Sequence, residues 1–83
     1  MESEKSNKIK VVLLSSIAED LGWHEKILTI EDSQMKAFSI WKLINSKLPQ
    51  DNIIVAINQE ITDMEANINP DDEVAFMPVF TGG

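Results

Sequence analysis

The chain has 83 residues, of which 43% are hydrophobic, enough for one small domain with a single core. It contains no cysteine and one histidine, which excludes disulfides, thiolate metal ligands and a cysteine nucleophile, and we predict no metal site. Seven lysines face fourteen acidic residues. The net charge of -7 opposes binding to nucleic acid or anionic membranes but is compatible with a partner that carries a basic docking face.

The first seven residues are polar and charged, and we expect a disordered tail because they offer no apolar run to bury. They also lack the apolar segment of a secretion signal, and the longest apolar run, residues 11–14, is too short to cross a bilayer. We therefore expect a cytoplasmic protein with one domain over residues 8–79 and a flexible tail over residues 80–83.

Residues 8–15 are rich in β-branched side chains and predict the first strand. Alternate residues of a strand point to opposite faces, and Lys10 marks one face as partly wet. The other face is predicted to belong to the core and carries Ile9, Val11 and Leu13. Two apolar side chains, Val12 and Leu14, then lie on the outer face.

A short helix over residues 17–21 follows, with a serine as its N-cap and Gly22 at its C-cap. Residues 26–30 predict a second strand, which pairs with the first because the excursion between them is short. His24 lies in the loop before this strand, and we interpret it as a solvated residue, not a catalytic base.

A longer helix is predicted to begin at Asp32 or Ser33, to run to about Leu48 and to end at Pro49. Apolar side chains recur along it at spacings of three and four, which is typical of a helix face that packs on a core. This stripe consists of Phe38, Ile40, Trp41, Leu43, Ile44 and Leu48.

Residues 53–57 are continuously apolar, which predicts a central strand covered on both faces. A turn at Asn58 and Gln59 leads into a short strand over residues 60–62. The polar connection that follows carries one apolar anchor, Ile68, and ends in a proline turn over residues 69–72.

The last strand is predicted over residues 73–79, with Val74 and Phe76 on one face and Ala75 and Met77 on the other. One long helix and a mixed sheet predict an α+β fold of two layers. The outer face then carries a cluster typical of protein–protein contacts, which consists of Val12, Leu14, Ala75 and Met77.

The sequence ends in Gly82 and Gly83, which form a thin segment able to enter a narrow channel and present a carboxylate there. A frayed chain end is the alternative interpretation of the same pair. The choice between a functional tail and a frayed end depends on the fold of the residues that precede the two glycines.

Three stretches together resemble the ubiquitin-like β-grasp proteins, and most of all the small, sulfur-carrying subunits of molybdopterin synthase. They are residues 9–14 running into 17–22, residues 55–60, and residues 71–78 followed by Thr81, Gly82 and Gly83. The last is the most specific, and together the three span nearly all of residues 8–83. Departures from the family pattern are Ala18 where an arginine is frequent, Asp71 where a glycine is frequent, and the single Pro78.

The resemblance implies that an E1-like adenylyltransferase uses ATP to adenylate the Gly83 carboxylate, and that a sulfur donor system converts it to a thiocarboxylate. Gly82 is the slender neighbour of that group. The tail would then enter the large catalytic subunit of a heterotetrameric synthase and pass its sulfur to precursor Z to form molybdopterin. This implies a protein co-substrate without a bound cofactor, and partner contacts that extend from the outer cluster to Pro78, Phe80 and Thr81.

Other functions remain open at this point. A sulfur carrier for thiamine or another pathway would use the same chemistry at Gly83. A ubiquitin-like modifier would instead be joined through Gly83 to lysines of target proteins, and a plain β-grasp interaction module would have inert glycines.

Overall fold

The computed structural model describes residues 7–30, 35–44 and 53–79. These residues form five strands and two helices: two strands separated by one helix, then the second helix, then three strands. They are β1 (Lys8–Leu13), α1 (Ser16–Leu21), β2 (Glu25–Thr29), α2 (Ala37–Ile44), β3 (Ile53–Ile57), β4 (Glu60–Thr62) and β5 (Glu73–Pro78). The predicted C-terminal tail, residues 80–83, lies outside the described residues, as do residues 1–6 of the predicted N-terminal tail. The main chain of Asn7 already joins the sheet, because its carbonyl accepts a hydrogen bond from the N–H of Ile30 at 2.7 Å.

The strands form one sheet in the order β2-β1-β5-β3-β4. Strands β1 and β5 run parallel, and the other neighbouring pairs are antiparallel. This mixed sheet confirms the predicted α+β fold and the pairing of the first two strands. Residues 53–57 form an interior strand, as predicted, since β3 lies between β5 and the edge strand β4, while β5 is the middle strand of the sheet.

The core lies on one face of the sheet, beneath α2. The register places Val11 opposite Val74 and Val55 opposite Phe76, so alternate residues of three adjacent strands point the same way. The Phe76 ring packs at 5.0 Å from the Trp41 ring, measured between ring centroids. The buried cluster consists of Ile9, Val11, Leu13, Ile17, Ile30, Ala37, Ile40, Trp41, Val55, Ile68, Val74 and Phe76. It includes the predicted anchor of the polar connection and both predicted core faces of β1 and β5.

Helix α2 begins at Ala37, later than predicted. The two preceding described residues are not helical, and Lys36 forms a β-bridge with Asn67. The N–H groups of Ala37 and Phe38 donate to the carbonyls of Ala66 and Met64, each at 2.9 Å. The free donors of the first helical turn are therefore satisfied by main-chain oxygens of a distant segment. The predicted end at Leu48 lies outside the described residues.

The predicted apolar stripe of this helix is narrower than its spacing suggested. Ile40 and Trp41 are buried as expected, whereas Phe38 is 37% exposed and Leu43 is 65% exposed. The ammonium of Lys42 lies 5.1 Å from the centroid of the Phe38 ring and shares that exposed surface. The prediction that all members of the stripe pack in the core was therefore wrong for two of them.

Both predicted turns around β3, β4 and β5 are present. Asn58 and Gln59 have φ values of 53° and 72°, which is the two-residue hairpin conformation that suits the twist of the flanking strands. Asp71 has a φ of 72° and follows Pro70 in a turn closed by the bond from the Asp72 N–H to the Asn69 carbonyl. Asp71 thus adopts the left-handed conformation, which aspartate tolerates better than most residues other than glycine.

Candidate functional site

The outer face of the sheet, which α2 does not cover, is the candidate partner-binding site. Its centre is formed by β1 and β5, where the parallel register places Val12 beside Ala75. The N–H of Leu14 donates to the Phe76 carbonyl at 3.0 Å, which holds the end of β1 beside the end of β5. The last described residue, Val79, continues β5 toward the predicted tail.

The four residues of the predicted outer cluster lie on this face. Leu14 is 40% exposed, and Val12, Ala75 and Met77 are partly buried. Pro78, which we also assigned to partner contacts, shares the strand face of Phe76 and not that of Met77. Phe80, Thr81, Gly82 and Gly83 lie outside the described residues.

The outer face extends further than the sequence suggested. The register places Ile54 opposite Met77 and Ala56 opposite Ala75, and it places Ile61 of β4 beside Ala56. Ile61 is 73% exposed. The alternation of residues 53–57 contains this signal, but the expectation of a strand covered on both faces hid it. The apolar surface therefore reaches from β1 across to the sheet edge at β4.

Charged side chains on the outer face lie on β1, β2 and β5 and reach the level of Val12, which stands opposite Glu25 in the register. Lys10 and Glu25 form an ion pair at 3.4 Å between β1 and β2, and Glu73 stands beside Lys10 in the register. An exposed pair of this kind contributes little to stability. Leu14 and Met77, the members of the cluster nearest Val79, lie beyond these charged residues, so a partner that binds there meets apolar surface next to the predicted C-terminal tail.

The described residues contain no group of three or more histidine, cysteine or acidic side chains that can hold a metal ion. His24 is exposed, and its carbonyl accepts the N–H of Leu13 at 2.9 Å in a strand-like contact. In the same part of the chain, no helix is long and apolar enough to cross a membrane.

Comparison with known protein families matches residues 24–83 to the ThiS family. A curated relative, the molybdopterin synthase sulfur carrier subunit of Dictyostelium discoideum, is 26% identical over 85 residues, which cover 94% of this chain and 99% of that protein. The family match runs to residue 83 and so includes Gly82 and Gly83.

Two solved structures are similar over nearly their whole length. The first is SAMP1, small archaeal modifier protein 1, from Haloferax volcanii, with a TM-score of 0.74, 19% identity, and coverage of 92% of this chain and 99% of the other. The second is a putative molybdopterin converting factor, subunit 1, from Pyrococcus furiosus, with a TM-score of 0.73, 15% identity, and coverage of 90% and 100%. These likenesses confirm the ubiquitin-like β-grasp fold.

Proposed function

Because the chain belongs to the ThiS family, we propose that it is a sulfur carrier that delivers sulfur from a thiocarboxylate at Gly83. The observation that carries the proposal is the family match, which runs through β5 to residue 83. That strand, β5, is the middle strand of the sheet and is paired on both sides, with β1 and with β3.

The chemistry begins with a carboxylate, which is a poor electrophile. One of its oxygens attacks the α-phosphorus of ATP on an activating enzyme, pyrophosphate leaves, and an acyl adenylate forms. A donor that supplies sulfur at the oxidation level of sulfide then displaces AMP and leaves the thiocarboxylate. In the acceptor site the thiocarboxylate sulfur attacks an electrophilic carbon of the substrate and displaces an oxygen leaving group from that carbon. Water then cleaves the acyl–sulfur bond, which restores the carboxylate and leaves the sulfur on the substrate as a thiol.

The geometry supports delivery into a partner. Val79 is exposed at the end of β5, and the four residues beyond it span about 13 Å when extended. Glycine has no Cβ, so Gly82 and Gly83 allow the walls of a channel to lie close to the main chain. The outer face lies beside the end of β5, where the tail begins. A partner docked on that face would therefore have its acceptor site close to the tail.

Molybdopterin synthesis is the pathway that we propose. The support is the curated relative, whose name states that role and whose match covers 94% of this chain. The partners would then be an E1-like activating enzyme, a sulfur donor system, and the large catalytic subunit of a synthase that acts on precursor Z. ATP is a substrate of the activating enzyme, and this chain holds no cofactor in the proposal.

Protein modification is the second candidate, favoured by the likeness to SAMP1 over 92% of this chain. The same acyl adenylate would then pass to a lysine of a target protein and form an amide. Higher-mass conjugates that disappear when Gly83 is deleted would support this function and count against a dedicated sulfur carrier.

The test is the intact mass of the full chain before and after incubation with a cognate activating enzyme, ATP and sulfide. We expect a gain that matches the exchange of one oxygen for sulfur, and no gain when Gly83 is deleted. A matched control omits ATP, and the competence of the activating enzyme is established by ATP–pyrophosphate exchange. An unchanged mass with a competent enzyme would contradict the proposal, and complementation of strains that lack molybdopterin or thiamine synthesis would separate the two pathways.

A further inference from the structure

Met77 places a thioether on the outer face, near the end of β5. In the register it stands opposite Ile54, and one residue beyond the pair of Leu13 with Phe76 it lies level with Leu14. Leu14 is 40% exposed, and Met77 keeps part of its surface in solvent. A small oxidant can therefore reach the Met77 side chain from the face that is the candidate partner-binding site.

The other two methionines of the described residues have different surroundings. Met35 and Met64 pack against the hydrophobic core. Their carbonyls accept main-chain bonds from the N–H of Ile68 at 2.8 Å and from the N–H of Phe38 at 2.9 Å, which holds them in the seam between α2 and the connection from β4 to β5. Because the core shields one side of each, we expect an oxidant to reach their sulfurs more slowly than that of Met77.

Oxidation of a thioether makes an apolar side chain polar. The sulfur lone pair attacks one oxygen of hydrogen peroxide, the O–O bond breaks, and the hydroxide released takes the proton of the transferred oxygen to become water. The sulfur loses two electrons, the peroxide gains them, and a sulfoxide forms. Two thiols reverse the step, since they take up the oxygen as water and become a disulfide. The chain contains no cysteine, so no thiol of its own competes for the oxidant.

We propose that Met77 is an oxidation site that controls docking of the large catalytic subunit, an inference that rests on the proposed function. In the complex the sulfoxide oxygen is covered beside Leu14, Ile54 and Ala75, whose side chains have no hydrogen to donate. A covered acceptor without a donor is unfavourable, so oxidation weakens the complex. In the free chain the same oxygen stays hydrated, because Met77 is only partly buried.

Oxidation in the seam has a different signature. A sulfoxide at Met35 or Met64 places a polar oxygen against the core and destabilises the fold. A sulfoxide at Met77 instead weakens docking and leaves the fold intact. The two effects are separated by measuring partner binding and thermal unfolding on the same oxidised sample.

The test uses the full chain with Gly83 as a free carboxylate, so that no thiocarboxylate consumes the oxidant. The chain is treated with limiting hydrogen peroxide, and peptide mapping by mass spectrometry locates each added oxygen. We expect Met77 to gain oxygen before Met35 and Met64. Calorimetry with the purified large catalytic subunit then measures the Kd, which is expected to rise about five- to a hundredfold. The melting temperature of the free chain is expected to be unchanged at this stage.

Variants assign the effect to one sulfur. Met77→Leu removes the thioether at nearly constant volume, and its own Kd before and after peroxide is expected to agree within about twofold. Met64→Leu removes a thioether of the seam and is expected to retain the loss of binding on oxidation. Dithiothreitol together with the two reductases that act on the two sulfoxide epimers is expected to restore the original Kd of the oxidised chain.

Equal Kd values for the untreated chain and the chain oxidised at Met77 would overturn the proposal, as would faster oxidation of Met35 or Met64. An equal loss of binding by oxidised Met77→Leu would place the effect on another residue, against the proposal. A lower melting temperature after oxidation of Met77 alone would show that the sulfoxide acts through the fold, also against it. Absence of binding by the untreated chain would contradict the proposed partner itself, and this inference would fall with it, whereas the other outcomes concern Met77 alone.

Discussion

The two faces of the sheet carry similar apolar side chains, but α2 covers one face and not the other. Neighbouring residues of β1 and its end show this: Leu13 is 1% exposed and Leu14 is 40% exposed. On β5, Phe76 is fully buried against Trp41, whereas Met77 on the other face is only partly buried. The face beneath α2 stabilises the fold, and the outer face retains apolar surface in the part of the chain that the structure describes. Surface of this kind is typical of protein–protein contacts.

The largest expected difference between the faces is at adjacent positions of β5. Phe76→Ala is expected to cost about 3–5 kcal/mol of unfolding free energy, because it leaves a cavity against the Trp41 ring. Met77→Ala, on the outer face, is expected to cost about 1 kcal/mol or less, since the side chain keeps part of its surface in solvent. Urea unfolding followed by tryptophan fluorescence measures both. Equal losses would show that the outer face contributes to the fold as much as the core face.

Binding gives the reverse comparison. Leu14→Asp is expected to weaken binding of the large catalytic subunit at least about tenfold, because it places a charge in the apolar contact. The same change is expected to alter the free energy of unfolding by about 1 kcal/mol or less. Calorimetry with the purified partner measures the Kd, and thermal unfolding checks the fold. Gln59→Asp adds the same charge at an exposed hairpin position and serves as the control. Unchanged binding of Leu14→Asp would remove the outer face from the proposed interface.

A third prediction concerns the turn at which β1 leaves the sheet. Ser15 has a φ of 55° and a ψ of -134°, a conformation that favours glycine, and its side chain forms no capping hydrogen bond. Ser15→Gly is therefore expected to stabilise the domain by about 0.5–1 kcal/mol. Ser16→Gly, within α1, is expected to destabilise it by a similar amount. A lower melting temperature for Ser15→Gly would contradict the assigned turn conformation.

The smallest effect is expected at the far edge of the outer face. Ile61→Thr retains a β-branched side chain at a position that is 73% exposed, so stability should change by about 0.5 kcal/mol or less. Val55→Thr, on the core face of the neighbouring strand, places a hydroxyl in the core and should cost about 1–3 kcal/mol. Denaturant midpoints compare the pair. A large loss at Ile61 would mean that the outer face is covered in the free protein.

Local patterns of the sequence predicted much of this structure. Alternation identified the core faces of β1 and β5, and the turn residues Asn58, Gln59 and Asp71 placed the corners correctly. Ile68 was recognised as an anchor because it is the apolar residue that interrupts a polar connection. In each case, the information lies within a few residues of the feature.

Features that depend on distant segments were not predicted. The start of α2 was placed too early because its first N–H groups are satisfied by main-chain carbonyls of the connection, which leave no side-chain signal. The order of strands is likewise not local, so the apolar run of β3 suggested a strand covered on both faces and concealed Ile54 on the outer face. Trp23 and Leu43 line the same groove between β2 and the end of α2, although they are far apart in the sequence. No local pattern predicts that they lie close together.

The attachment of the first turn of α2 has a consequence for folding kinetics. The Ala37 and Phe38 N–H groups have their acceptors at Ala66 and Met64, and the Ile68 N–H donates to the Met35 carbonyl at 2.8 Å. This helix start therefore cannot complete its bonds until a segment from the other half of the chain has docked, and closing so long a loop slows the folding of a small domain. In native-state hydrogen exchange these amide protons should exchange only when the connection separates from the helix, so they report the cooperative opening of both halves together.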